Sequence, residues 1–390
     1  MDLNKEIKLS DLVRRPKKKP KTPGVTKPSS AKRKRRRKQE IVGLKIGASQ
    51  IAASRVVNNG TPPAKLVQLA RVSLEPGVVV GGEVRDVAAL ATALDRFFTE
   101  HKLPRRGIRL GIGTNRIGVR TVDIEGVDDE RQLGNVVRFR AHEALSIPLD
   151  QAVLDYHVVS ETVDESGAVS RRVLLAAAYQ EPIDHYVEAC RAAGLELSGI
   201  DVEAFALLRA LAPRNGHTED APTVASVVVS IGHDRSTLAI SDGTVCDFMR
   251  VLDWGGSKLE AAIAQELGLT TPEAAELKLE LDLGGDAPDD DPRAPFARAA
   301  VERELQTLAR ELVASLHFYQ GQPGSLAISE VFVTGGTTRI PGLAEELERL
   351  TRVPVRIADP LAGVQLSKNG LAERNDLASL AAAIGLGVEG

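Results

Sequence analysis

Two stretches in opposite halves of the chain carry the same device. Ile41-Val42-Gly43-Leu44-Lys45-Ile46-Gly47-Ala48-Ser49-Gln50 and Val227-Val228-Val229-Ser230-Ile231-Gly232-His233-Asp234-Arg235-Ser236-Thr237 each read as an apolar strand, one polar position, Ile-Gly and a short polar turn. A glycine turn after a strand points consecutive backbone N–H groups at one spot and leaves room for an anion to approach closely. One such turn constrains little. Two equivalent turns, each opening an alternating apolar and polar run, call for two related α/β halves facing a common cleft. Thr334-Gly335-Gly336, following the strand Glu330 to Val333, supplies a third glycine element to the same set.

A chain of 390 residues, 43% hydrophobic and 3% aromatic, buries an aliphatic core large enough for two or more domains. No apolar run approaches the ~20 residues that cross a bilayer, and the N-terminus is charged where a secretory signal would be apolar, which predicts a soluble, cytoplasmic protein. Cys190 and Cys246 lie far apart without CxxC spacing, so both are expected to be buried small hydrophobes rather than a disulfide or zinc ligands. Charge is divided unevenly. Residues 1–40 hold 16 Lys or Arg against 4 Asp or Glu, a net of +12, and the remaining 350 residues hold 34 against 49, a net of -15. A tail with the run Lys32 to Lys38 and prolines at 16, 20, 23 and 28 cannot bury apolar surface and is expected to be disordered. Its partners are an anionic membrane surface, an acidic protein surface including this body, or nucleic acid; the tail has no aromatic residue for base stacking, which weighs against the last.

Along the body, Ile41 to Val57 and Lys65 to Leu74 read as a three-stranded meander, and Val87 to His101 as a helix. Arg109 to Gly118 has the wrong glycine spacing for a dinucleotide fingerprint, and with the alternating Ile117 to Ile124 it reads as a hairpin. A compact unit is expected next: helix Asp128 to Ser146, strands Ala152 to Ser160 and Arg171 to Tyr179 around the Asp164 to Gly167 turn, helix Glu181 to Ala193 and strand Leu195 to Val202. After a linker, Pro213 to Pro222, the second loop opens another meander ending at Val251. Helices Gly256 to Glu266, Pro272 to Glu280 and Pro295 to Gly321 follow, with the acidic Gly284 to Asp291 as a surface loop. The closing helix, Asp376 to Leu386, is rich in small residues and suited to close packing.

Taken in order, these elements resemble the actin-like ATPases of the FtsA/PilM family over nearly all of residues 41–390. The resemblance rests on Val42 to Ser49, the helix ending in Ile147-Pro148-Leu149, Ala192 to Ala206, Arg250-Val251-Leu252-Asp253-Trp254-Gly255-Gly256-Ser257, Ala274-Ala275-Glu276-Leu277-Lys278 and Val331 to Gly336. It implies an actin-like ATPase α/β fold, with two related domains around a nucleotide cleft and an α+β insert subdomain of the FtsA/PilM type. The domains expected on this basis are a basic tail over 1–40, a first actin-like domain over 41–123 completed by 201–220 and 373–390, an insert over 124–200, and a second domain over 221–372. The last includes a helical subdomain at about 256–322.

The same resemblance implies ATP or ADP as the ligand. Lys45, Gly47, Ala48, Ser49 and Gln50 of the first loop, and Gly232, Ser236 and Thr237 of the second, match the phosphate-facing positions. Glu276 and Lys278 fall where the family contacts ribose and adenine, while Gly335, Gly336 and Arg339 fall in the third element, where Thr337 replaces a further glycine and crowds the site. Glu203 falls in the connector between halves. Two departures matter: the family's aspartates before Ile-Gly are Lys45 and Ser230 here. Those carboxylates hold hydrated magnesium and place the attacking water, so no catalytic residue and no metal ligand is assigned and hydrolysis is expected to be lost. A fixed lysine cation near phosphates can supply part of the neutralisation that magnesium gives, which points to a magnesium-independent or purely structural site.

The implied role is a scaffold of type IV pilus or related secretion assembly. It docks the cytoplasmic N-terminal peptide of a PilN-like inner-membrane protein through the insert, links the alignment complex to the pilus motor, and sits peripherally on the inner face of the cytoplasmic membrane. An active actin-like ATPase that cycles or polymerises is the alternative, and a nucleic-acid-binding protein acting through the tail a further one. Rival chemistries lack their motifs: there is no HxxxH pair, no GxSxG elbow and no GxxxxGK[ST] loop.

Overall fold

The computed structural model describes residues 39–60, 62–127, 130–163, 169–212, 224–284, 291–367 and 376–389. The basic segment up to residue 38, the Asp164 to Gly167 turn, the Pro213 to Pro222 linker and most of the acidic stretch lie outside the described residues.

The first meander forms as the alternation predicts: β1 (Gln39–Ile46), β2 (Gln50–Asn58) and β3 (Ala64–Ser73) pair antiparallel in sequence. A short hairpin of β4 (Val79–Val80) and β5 (Glu83–Val84) turns at Gly81 and Gly82, and α1 (Val87–Glu100) follows, its first turn capped by the Asp86 carboxylate accepting from Ala89 N–H at 2.8 Å. Then β6 (Ile108–Ile112), buried at every residue, joins β1 in parallel. β7 (Ile117–Glu125) does not pair with it. The expected hairpin is therefore corrected: β6 and β7 are neighbours in sequence but belong to different sheets, because a strand buried on both faces and a half-exposed alternating strand need different surroundings.

α2 (Glu130–Ala144), β8 (Ala152–Val163) and β9 (Val169–Tyr179) follow, and β7-β9-β8 form a separate three-stranded sheet. The expected unit is differently constituted. α3 (Gln180–Ala192) packs Tyr186, Ala189 and Cys190 into the first core beside α1, and β10 (Leu197–Val202) pairs in parallel with β6. In the small sheet, period-2 alternation separates two faces: Val173, Leu175 and Ala177 pack on Leu133, Val137 and Ala141 of α2, while Leu174 and Ala176 turn the other way. That second face meets α4 (Glu203–Leu211) and the Cys246 and Met249 side chains of the next sheet. Arg172 of β9 fastens it there, donating to Asp242 and Asp247 at 3.0 Å each.

The second meander is β11 (Val224–Ile231), β12 (Ser236–Ser241) and β13 (Cys246–Leu252), followed by α5 (Gly256–Leu267), α6 (Thr271–Glu280) and α7 (Ala294–Gln320). β14 (Ala327–Thr334) pairs in parallel with β11, α8 (Leu343–Thr351) follows, and β15 (Val355–Ile357) extends the sheet to the order β13-β12-β11-β14-β15. β16 (Val364–Leu366) returns to the first sheet, whose order is β10-β6-β1-β2-β3-β16, and α9 (Ala381–Gly387) is the last element described. A 3-10 turn, Leu377–Leu380, takes the place of the start of the expected closing helix.

Each large sheet is covered on both faces. Val42, Leu44 and Ile46 face α1 and α3, whereas Ala52, Val56 and Leu66 face Leu380, Ala383 and Ile384. In the second sheet Val227, Val229 and Ile231 face α5, α7 and α8, whereas Val228 faces α4. α4 and α9 thus form a central layer between the sheets. Their closeness depends on Gly385, where a Cβ would lie 1.8 Å from the carbonyl oxygen of Ala206. Buried Arg109 donates to the carbonyls of Leu386 at 3.1 Å and Val388 at 2.9 Å, satisfying acceptors left open where α9 ends. Both cysteines are free and buried, as their isolation in sequence predicts.

Candidate functional site

The two glycine loops close by the same hydrogen bond. Gly47 N–H donates to the carbonyl of Gln50 at 2.9 Å, and Gly232 N–H donates to that of Arg235 at 2.8 Å. The second loop is further pinned from α5, where Gly256 N–H reaches Gly232 O at 2.9 Å and Ser257 N–H reaches His233 O at 2.7 Å. Parallel pairing of Ser230 with Thr334 sets the third element beside it. There Gly335 has a φ of 99°, and any Cβ would meet Ile231 O at 2.3 Å, so only glycine fits that corner. Thr337 lines the cleft, as its position in the third element predicts, and it also ties two elements together: its hydroxyl donates to Gly232 O at 3.0 Å.

A cavity of about 250 Å³ opens between these loops. Lys45, Gly47, Ala48, Ser49, Gln50, Gly232, Thr237, Lys278, Gly335, Gly336 and Arg339 all line it, as does Ser230. Two expected residues do not. The Ser236 side chain is fully buried and its hydroxyl donates to Trp254 O at 2.7 Å, because the strand-initial position alternates inward. Glu276 is exposed on α6 while Lys278, two residues on, is buried on another face of the helix. The structure adds lining residues that the sequence did not single out, among them Gly82, Arg235 and Asp376. Asp376 follows no glycine pattern, and Gly82 arrives from a hairpin too short to announce itself.

The charges in this cavity are largely paired. The Lys45 ammonium donates to the Glu203 carboxylate, with side chains only 19% and 8% exposed, so the lysine's charge is met from within the protein. Gly113 leaves the space for this contact, since a Cβ there would fall 2.2 Å from Glu203 Oε2. Lys278 likewise donates to Glu260. Asp376 accepts from Arg71 at 2.6 Å and lies 3.8 Å from Arg339. Asp234 accepts from Gly81 N–H at 2.8 Å, joining the second loop to the β4–β5 turn. Buried atoms without a hydrogen-bond partner remain: Nε and Nη1 of Arg235 and Oδ1 of Asp376. Among the described residues no group of three or more His, Cys, Asp or Glu could hold a metal ion. Glycine N–H groups, hydroxyls and guanidinium donors suit an anion.

Two sheets of like construction, each opened by a glycine hairpin and joined across a lined cleft, define the actin-like ATPase fold. Solved structures agree at the level of fold: ethanolamine utilization protein EutJ from Carboxydothermus hydrogenoformans is 16% identical with a TM-score of 0.51, covering 90% of both chains. MreB5 of Spiroplasma citri bound to ADP is 12% identical with a TM-score of 0.50, covering 89% of this chain and 94% of that one. The chain belongs to the family described as type IV pilus assembly protein PilM, whose model matches residues 43–390. A PilM–PilN type IV pilus biogenesis complex is similar with a TM-score of 0.74 and 26% identity, over 90% of this chain and 98% of that one. Cell division protein FtsA of Pseudomonas aeruginosa is 25% identical over 85% of each chain.

Proposed function

We propose that this protein is a non-hydrolysing scaffold of type IV pilus assembly, peripheral to the inner face of the cytoplasmic membrane, that docks the N-terminal cytoplasmic segment of a PilN-like membrane protein. The observation that carries the reading is the likeness to the chain solved in a PilM–PilN complex, which extends over 98% of that chain. The cleft supports the second half of the reading. Magnesium-nucleotide hydrolysis needs carboxylates to hold the hydrated metal and aim the water. At the end of β1 this chain presents an ammonium already engaged by Glu203, and at the matching point of β11 the hydroxyl of Ser230. Gly47, Ala48, Gly232 and Thr237 remain to receive the phosphates of ATP or ADP, with Gly335 and Gly336 beside the base.

Two measurements test this. A fluorescent peptide copying the N-terminal segment of the PilN-like protein of the same organism binds saturably to the full chain; no saturable binding would reject the docking role. Phosphate release from ATP and magnesium stays at the protein-free background, and turnover above it would return the chain to the active ATPases. The insert is tested by substitutions on the outer face of α2, such as Phe139→Glu, since deleting 124–200 would also remove α3 and most of β10 from the first core.

A further inference from the structure

We propose that Arg235 is the cation that meets a phosphate anion in this cleft, in place of both a magnesium ion and Lys45. The inference rests on the reading above that the cleft holds a nucleotide, and it names the residue that makes metal-free binding workable.

Four cationic side chains among the described residues line the cavity: Lys45, Arg235, Lys278 and Arg339. Lys45 is engaged by Glu203, Lys278 by Glu260, and Arg339 shares Asp376 with Arg71. Arg235 is differently placed. Among the described residues its one carboxylate neighbour within ion-pair distance, Asp253, is 3.5 Å away and 69% exposed, so that contact is long and well screened by water. Its Nε and Nη1 are buried without any acceptor. The guanidinium rests over the Gly81–Gly82 turn of the facing half: a Cβ on Gly81 would lie 2.6 Å from Nη2 and one on Gly82 3.4 Å from Nη1. Glycine at position 81 therefore makes room for it, while at position 82 the nearer limit is Gly113 O, 2.4 Å from a Cβ.

A buried donor without an acceptor costs free energy, and a charged one costs more. Swinging the flexible side chain from the turn into the cavity gives up little beyond the contact with Asp253. A phosphoryl oxygen there offers Nε and Nη the planar, two-point acceptor that guanidinium geometry matches. The nearby carboxylates are engaged elsewhere: Asp234 accepts from Gly81 N–H, Glu203 from Lys45, Glu83 pairs with Arg85 and Arg116 at 3.2 Å each, and Asp376 accepts through Oδ2 from Arg71. The second loop's own Gly232 and Thr237 line the same space.

The test is calorimetric titration of the full chain with ATP in excess EDTA, repeated with Arg235→Gln and Arg235→Lys. Trp254, the single tryptophan, follows Asp253 and reports by its fluorescence whether Arg235 leaves that contact. Wild type binds ATP saturably without metal and with a fluorescence change. Arg235→Gln weakens binding about 10- to 100-fold and loses the change; Arg235→Lys weakens it less and covers the case in which the glutamine variant fails to fold. Equal affinity of the variants and wild type overturns the assignment, as does wild-type binding that requires magnesium. Either result leaves the docking role standing if the PilN-type peptide still binds the same preparations, and a loss of peptide binding by wild type strikes the scaffold reading instead.

Discussion

Lys45 brings to the end of β1 a charge that the protein itself meets. Its ammonium and the Glu203 carboxylate are both largely shielded from water, so removing one leaves the other uncompensated. Glu203→Gln is expected to destabilise the protein by about 3 kcal/mol, the lower end for a broken buried pair because Lys45 keeps some exposure. Combining it with Lys45→Met should restore much of that loss, and urea titration of the wild type and the two variants reads both numbers. Cys190 gives a second residue-level prediction. Burial pushes its thiol up to about 12 from an ordinary value near 9. In the unfolded chain the thiol ionises first, so the folded protein is favoured fully below pH ~9 and that advantage is lost as pH rises toward 12. Stability measured between pH 8 and 11 should fall, Cys190→Ala should flatten part of the fall, and native protein should resist thiol-modifying reagents at pH 8. An equally steep decline in the alanine variant would assign it to other groups, such as Tyr186, whose phenol is also raised by burial.

At the scale of elements, close helix packing makes the clearest demand. Gly385→Ala would drive a methyl into the Ala206 carbonyl, and since backbone rather than a side-chain tip is in the way, α4 and α9 must separate. A loss of about 3 kcal/mol, the upper end for overpacking, is expected by thermal or chemical denaturation. Had the helix stayed as stable with alanine, the crossing would be looser than described. The sequence showed the small residues of α9 but not their partner, because α4 reads as nine mostly apolar residues without a helical cap. Both meanders were legible, since their alternation is local and each turn is marked by glycine. The β6–β7 region was misread because proximity in sequence imitates a hairpin, and only tertiary placement separates the two strands. Of the site residues named from the sequence, most line the cavity, whereas Ser236 and Glu276 do not, because the direction in which each side chain turns is not written in its motif. Arg235 lay inside a motif already singled out. Its signal was a large cation in a turn otherwise built of small and polar residues, and the significance appears only once Gly81 and Gly82 are seen beneath it.

For the whole molecule, no helix among the described residues is long and apolar enough to cross a membrane. Residues 1–38 supply a concentrated positive charge, each Lys or Arg near an anionic bilayer contributing about 1 kcal/mol. Removing that segment should abolish sedimentation with phosphatidylserine vesicles at moderate salt while leaving PilN-peptide binding intact; unchanged sedimentation would exclude the lipid role. At the crossing of α4 and α9 the Ala206 backbone lies directly against Gly385, and Arg209 Nε donates to Gly385 O at 3.1 Å, so the layer between the two sheets is joined through main chain as well as through side chains. A seam with so little slack is expected to carry any rotation of one sheet against the other to the glycine loops as a change in the width of the gap between them.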